Sequence, residues 1–357
     1  MPENPAPRTD RPRPSVSVVI PCYKYGRFLP GCVRSVLDQE GVDVRILIID
    51  DASPDDSAQV ALSLAAADER VDARVHEVNK GHIATYNEGL LGWADGDYSV
   101  LISADDLMTR GSLARATAVM EADPGIGFVY GHAAWWQDDQ PLPTPRVDVT
   151  GVMVWPGLEW LGIMCRLGHN VISSPEVVVR TSVQQAIGGY RPELPHSGDA
   201  EMWMRFALHS DVAYVKGVDQ AFYRIHAGQM TKDRVAYLDL VQRKAAFDML
   251  FDEYGDRIPN AARLRRRAGR KMAKEALWRA CRAYERRRME ITPISELVEF
   301  AESAYRHPSR LPEYWGLRWR ERVGPQVCPY LQPLMVSAVH RRVRTALWWR
   351  RWARQGV

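Results

Sequence analysis

Apolar residues in the first half of the chain fall in short β-branched runs that alternate with stretches of helical spacing. Val16 to Ile20 is one such run. After Pro21 and Gly26 come Phe28, Leu29, Cys32, Val33, Val36 and Leu37 at helical spacing, which predicts strand, loop and amphipathic helix. The unit repeats. Val44 to Ile49 forms a second run that ends in Asp50 and Asp51. Ser53 then suits a helix cap, Pro54 the first helical position and Asp55 and Asp56 the positive end of the dipole, which predicts a helix to about Ala67. A weaker strand is expected from Val75, a helix over 81–93, and a strand from Tyr98 to Ile102 ending at Ser103, Ala104, Asp105 and Asp106. A helix over 112–120 and a strand near Phe128 to Tyr130 follow.

Strands alternating with helices through short links argue a mostly parallel sheet between helices, and continuous apolar runs fit strands buried on both faces. Residues 133–156, with Pro141, Pro143 and Pro145, read as an irregular excursion. Beyond it the pattern predicts helices over 155–167 and 201–208, the latter after a loop at His196 to Asp199, and strands over 176–180 and 212–215. From about Thr231 an Arg- and Ala-rich helical pattern replaces the strands. The expected organisation is therefore a disordered leader over 1–14, an α/β domain over 15–231 and an α-helical region over 232–357.

Polar residues fall at the strand ends. Pro21 and Cys22 end the first, Asp50 and Asp51 the second, and Asp105 and Asp106 another. In an open parallel sheet these ends share the edge where such folds bind ligands. Several carboxylates gathered there repel one another, and a divalent cation with a diphosphate would offset that repulsion.

Composition narrows the classes. The 357 residues are 46% hydrophobic and 25% charged, as in ordinary globular proteins, and the net charge of +3 does not suit a nucleic-acid binder. Five cysteines without paired spacing suggest neither zinc nor a disulfide framework, and reduced thiols of a cytoplasmic protein are expected. No run reaches the length of a transmembrane helix. The charge is uneven, with basic residues outnumbering acidic ones from Arg263 to Arg288.

Taken in order, the motifs resemble those of the family-2 glycosyltransferases, which have the GT-A fold. The resemblance spans about Ser15 to Thr231. Val16 to Tyr23 (VSVVIPCY) is similar to the opening strand and its PxYN turn, with Lys24 in place of Asn. Ile48 to Ser53 (IIDDAS) is similar to VDDGS, and Asn79, Gly81, Ala84, Asn87 and Gly89 to NxGxxxARNxG. Ser103 to Asp106 (SADD) resembles the DADD metal motif with its first Asp replaced by Ser103. Gly198 to Arg205 resembles EDxDLWLR with Gly198 in place of Glu, and Tyr223 to His226 resembles YRxH.

The resemblance implies inverting sugar transfer from a nucleotide sugar, with UDP or dTDP as the first expectation, in polysaccharide or glycoconjugate biosynthesis. It implies nucleotide contacts from Pro21, Tyr23, Asp51, Asn79, Gly81, Asn87, Ala104 and Asp105. It implies a divalent metal, Mn²⁺ or Mg²⁺, at Asp105 and Asp106 with His226 joining, and Asp199 as catalytic base. A glycan, a lipid-linked molecule or a small molecule would accept the sugar.

Each residue also has a plainer reading. Asp199 could cap the helix near Glu201, Glu201 could pair with Arg205, and Arg224 and His226 could lie in a surface loop. Trp203 is expected in the core, while Trp135 and Trp136 could stack on sugars. Leu334, Met335, Ala338, Val339, Val343, Ala346 and Leu347 recur at helical spacing among basic residues, with Trp348, Trp349 and Trp352 after them. This pattern suits a membrane-surface helix or one packed on the catalytic domain, and packing is favoured. The location expected is cytoplasmic, at the inner membrane surface if that helix lies on lipid. A dinucleotide oxidoreductase would need G-x-G-x-x-G after the first strand, and a nucleotidyltransferase a Gly-rich basic loop; residues 21–27 provide neither. A catalytically impaired binding or scaffold protein stays open because of Ser103.

Overall fold

A computed structural model describes residues 12–229, 236–330, 343, 346–348 and 350–357. Most of the expected leader, the boundary at Thr231, the segment holding Leu334, Met335, Ala338 and Val339, and Trp349 lie outside the described residues.

The first layer follows the pattern. Strands β1 (Ser15–Cys22), β2 (Asp43–Asp50), β3 (Val71–Val75) and β4 (Tyr98–Leu101) pair in parallel in the order β3-β2-β1-β4, joined by helices α1 (Leu29–Leu37), α2 (Ser57–Ala67) and α3 (His82–Gly92). Each apolar run serves two faces. Val16, Val18 and Ile20 pack with Leu29, Val33 and Val36 of α1, whereas Val19, Leu47 and Ile49 face the opposite side with Ile83 and Leu90 of α3. Helix α3 lies close to β1 because residue 89 is glycine; a Cβ there would come 2.3 Å from the Val19 side chain.

The rest of the sheet is mixed. The short β5 (Leu107–Met108) is followed by α4 (Ser112–Ala122), β6 (Ile126–Gln137), β7 (Gly151–Trp155), α5 (Gly157–Leu167), β8 (Val178–Arg180), α6 (Thr181–Ile187), α7 (Gly198–His209) and β9 (Asp211–Ile225). The order continues β4-β8-β6-β9-β5, with β7 also on β9. β8 runs antiparallel between β4 and β6, while β6 and β9 are parallel.

Several boundaries correct the pattern reading. β3 ends at Val75 instead of starting there. Ser53 caps no helix, and α2 starts only at Ser57; the Ser53 amide donates to Asp50 and its hydroxyl accepts from the Lys24 amide, tying two strand-end turns. The excursion over 133–156 contains the second half of β6 and all of β7, because β9 is long enough to pair with both. Helix α7 begins at Gly198 with Ser197 as its N-cap residue, so Asp199 belongs to the first turn and is not the cap.

Helices α8 (Ala236–Tyr254), α9 (Ala261–Arg286), α10 (Ile294–Ala304) and α11 (Pro312–Val323) complete the chain's second half. α9 buries Ala268, Met272, Ala276 and Leu277 in the same apolar cluster as Trp160 and Met164 of α5 and Trp203 and Phe206 of α7. The helical region thus shares its core with one face of the sheet. The described C-terminal residues dock on that sheet too. Trp352 donates to the Val171 carbonyl and packs its ring on His132 and Tyr214, and the Tyr130 hydroxyl donates to the Gly356 carbonyl. No helix among the described residues is long and apolar enough to cross a membrane.

Candidate active site

The end of β2 holds a preorganised turn. The buried Asp51 carboxylate accepts from the Lys80 amide at 2.7 Å and the Gly81 amide at 2.9 Å, and meets His76 Nδ1 at 2.8 Å. His76 is itself buried, and its Nε2 lies 3.0 Å from Glu88. Asn79 donates to the Asp51 carbonyl and accepts from the Gly81 amide. Gly81 has φ +84 with nothing near its missing Cβ, so backbone conformation, not space, demands glycine there. Asp51, Asn79 and Gly81 therefore meet in one structure. Pro21 lies in β1 beside Ile49, and Tyr23 just beyond the strand is exposed. His76 was not singled out from the sequence; a lone His after a weak strand matches no motif.

The β4 end presents two buried carboxylates side by side. His226 Nε2 lies 3.0 Å from Asp105 Oδ2, and the Arg224 amide donates to Asp106 at 2.9 Å. The Arg224 side chain donates to the Asp105 carbonyl and sits between the Phe28 and Trp136 rings. His226 packs on Tyr25 and Phe28. Both residues are buried at the end of β9, so the surface-loop reading does not hold. Burial and then the neighbouring Asp105 push the Asp106 carboxyl well above its ordinary value, against a smaller pull from Arg224. Asp105 Oδ1 is buried with no hydrogen-bond partner among the described residues. The Ala104 methyl is packed in the core, so this residue could meet a ligand only through its backbone.

Among the described residues no three His, Cys, Asp or Glu side chains converge as a ready cage for a metal. Two hard carboxylates with one unpartnered oxygen nevertheless match how Mg²⁺-type ions bind with phosphates: one or two carboxylates, the rest from substrate and water.

Asp199 stands in the first turn of α7, where the helix dipole favours its charge. It accepts from the Ser174 hydroxyl at 2.6 Å. Tyr86 is within electrostatic reach of both this carboxylate and the acidic pair. Burial pushes its hydroxyl far above the ordinary range, and the charges of Asp199 and then Asp105 add to the shift. Asp199 also lines a cavity of about 1570 Å³ with Tyr223, Trp135 and residues of α9.

Other expected residues have different work. Glu201 is fully buried and holds Arg205 and Arg191, so it pairs as the plainer reading had it. The Asn87 amide donates to the Tyr190 carbonyl and its oxygen accepts from the Tyr190 amide. It thereby braces the 188–190 turn against α3. Trp203 is in the core, stacked on Phe128, and Trp135 is exposed.

Residues 17–146 match the family model for glycosyl transferase family 2. A Streptococcus pneumoniae glycosyltransferase, GlyG, is 30% identical over 120 residues, which are 33% of this chain and 40% of that one. An uncharacterized Mycobacterium tuberculosis protein, MT1568, is 28% identical over 211 residues, covering 57% of this chain and 65% of its own. The chain thus covers less than two thirds of either relative. Among solved structures, Staphylococcus aureus TarS (residues 1–349) superposes with a TM-score of 0.59 at 13% identity, covering 87% of this chain and 90% of that one. The matched segment carries the Asp51 turn and the Asp105–Asp106 pair and is similar to glycosyl transferase family 2, and the chain has the fold of GT-A glycosyltransferases.

Proposed function

We propose that the chain moves a sugar from a UDP- or dTDP-sugar to an acceptor hydroxyl with inversion at the anomeric carbon. The observation that supports this reading is the buried Asp105–Asp106 pair after β4, with one carboxylate oxygen left without a partner among the described residues, in the segment that matches the family model. Solved forms of the S. aureus protein hold UDP and UDP-GlcNAc, which supports a nucleotide-sugar donor on this fold.

In this reading Pro21, Tyr23 and the Asp51–Asn79–Gly81 turn receive the base and ribose. Asp105 and Asp106 would hold a divalent cation, Mn²⁺ or Mg²⁺, which would neutralise charge on the leaving diphosphate. Asp199 accepts the acceptor's hydroxyl proton as the acceptor oxygen bonds to the anomeric carbon. The bond from that carbon to the diphosphate oxygen breaks on the opposite face, so one displacement inverts the centre, by the geometry that governs inverting hydrolysis. Ser174 keeps the Asp199 carboxylate oriented. His226, bonded to Asp105, is placed to adjust that carboxylate when the diphosphate arrives. Ser103 is the residue that favours a non-catalytic binder, and the buried acidic pair with one unpartnered oxygen weighs against it.

The test is Asp199→Asn, followed by release of nucleoside diphosphate from a panel of UDP- and dTDP-sugars, with water as the slow acceptor. Release should fall about 10²- to 10⁴-fold with donor binding kept. Release at the wild-type rate would remove Asp199 from the base role.

A further inference from the structure

The transfer chemistry leaves the basic run of α9 unused. Arg267, Arg270, Lys271, Lys274 and Trp278 fall on one side of the helix and line one wall of the cavity that holds Asp199. Arg166, in the last turn of α5, lines it as well. Some of the lining cations are neutralised: Lys274 by Glu313, Arg243 by Asp239 and Glu275, and Arg320 by Glu285. Arg166, Arg267 and Arg270 have no carboxylate partner among the described residues. Burial, and then the charges of Arg267 and Arg351, hold the Arg166 guanidinium below its ordinary value, as expected where cations crowd one another.

Arg265, which does not line the cavity, is paired with Asp248 and Asp252. A cleft with excess charge of one sign focuses ions of the other. Guanidinium forks fit phosphate oxygens in pairs, and a phosphate brings up to two negative charges where a carboxylate brings one. From Arg267 to Trp278 the helix advances roughly 16 Å, enough for several linked units.

We propose that this cavity is the acceptor site and that the acceptor carries phosphate, held by Arg267, Arg270 and Arg166 while its hydroxyl reaches Asp199. The proposal rests on the glycosyltransferase reading of Asp199. The phosphate could belong to a soluble acceptor or to a lipid headgroup.

The experiment uses the full chain with UDP and Mg²⁺ in excess, so that the donor site is filled, and titrates fructose 1,6-bisphosphate as the probe. Wild-type protein should bind it, more weakly as salt rises. Arg267→Gln with Arg270→Gln should weaken binding about tenfold or more and leave UDP affinity unchanged. Arg263→Gln with Arg266→Gln, an equal loss of charge at exposed α9 positions outside the cavity, should change little. A parallel arm sediments vesicles containing phosphatidic acid: loss of vesicle binding in the cavity variant places the phosphate on lipid, and unchanged vesicle binding with loss of bisphosphate binding places it on a soluble acceptor. Normal UDP binding with no bisphosphate binding, or with equal binding in both double variants, overturns the proposal alone. Absent UDP binding counts instead against the donor reading on which it rests.

Discussion

Asp199 and Glu201 lie two residues apart in the first turn of α7, and their removal should fail in opposite ways. Glu201 is fully buried; its Oε1 accepts from Arg205 Nε at 2.7 Å and from Arg191 Nε at 3.0 Å. Arg205, 2% exposed, also donates to the Ile187 and Gly189 carbonyls at 2.6 Å each, pinning the turn after α6. In Glu201→Ala the guanidinium keeps those carbonyls but loses its counter-charge in a dry site. Removing one partner of such a buried pair costs about 3–5 kcal/mol. Arg191 softens the loss only on its own side, because Glu253 still holds it. Against a total stability of about 5–15 kcal/mol the effect should be plain in a urea midpoint. Asp199→Asn keeps the shape and an acceptor oxygen for Ser174, so its stability should change by about 1 kcal/mol or less. Its donor turnover should nonetheless fall, while Glu201→Ala that remains folded should keep a far larger share. Urea unfolding followed by tryptophan fluorescence, beside turnover at a denaturant-free temperature where both fold, separates the two. A Glu201→Ala protein as stable as the wild type, or an Asp199→Asn protein destabilised more than it, would refute the assignment.

Other perturbations follow from the same contacts. His76→Ala removes the side chain that orients Asp51 and should weaken nucleotide binding about tenfold, read by calorimetric titration, and lower stability by about 1–3 kcal/mol. Glu176, buried and held well above its ordinary 4.5 chiefly by desolvation, binds its proton more tightly folded than unfolded. Stability should therefore fall as pH rises from about that ordinary value toward the raised one, by at most about 1.4 kcal/mol per pH unit, and Glu176→Gln should flatten that slope in urea titrations across pH. Trp352→Ala removes a side chain seated against His132, Tyr214 and the Val171 carbonyl and should cost about 3–5 kcal/mol, with faster proteolysis of the C-terminal residues as its readout.

The parts legible from sequence are those where local pattern and burial agree. β1, β2 and β4 are covered on both faces, so continuous apolar runs marked them, and the polar residues that ended each run marked the site edge. Asp51 follows β2, and Asp105 and Asp106 follow β4, the two strands that flank β1, as the strand-end logic expected. Three-residue β8 carries no periodicity of its own, and its antiparallel place between β4 and β6 is decided by tertiary packing. The far halves of β6 and β9 alternate too irregularly to read, since their register shifts twice around His132. The job of Asn87 is set by a turn more than a hundred residues away, and that of His76 by a partner fixed only when β3 docks. The basic wall of α9 was visible as composition, but the cavity it faces exists only through packing against α5 and α11.

The central claim is that the strand-end residues form a working nucleotide site although Ser103 replaces the first acid of the motif. Its most direct test is calorimetric titration of the purified chain with UDP, dTDP and other nucleoside diphosphates, with and without Mn²⁺. The account predicts saturable binding of one nucleotide that strengthens when Mn²⁺ is present and loses that strengthening in Asp105→Asn. Well-folded protein that binds none of the nucleotides under either condition would contradict it.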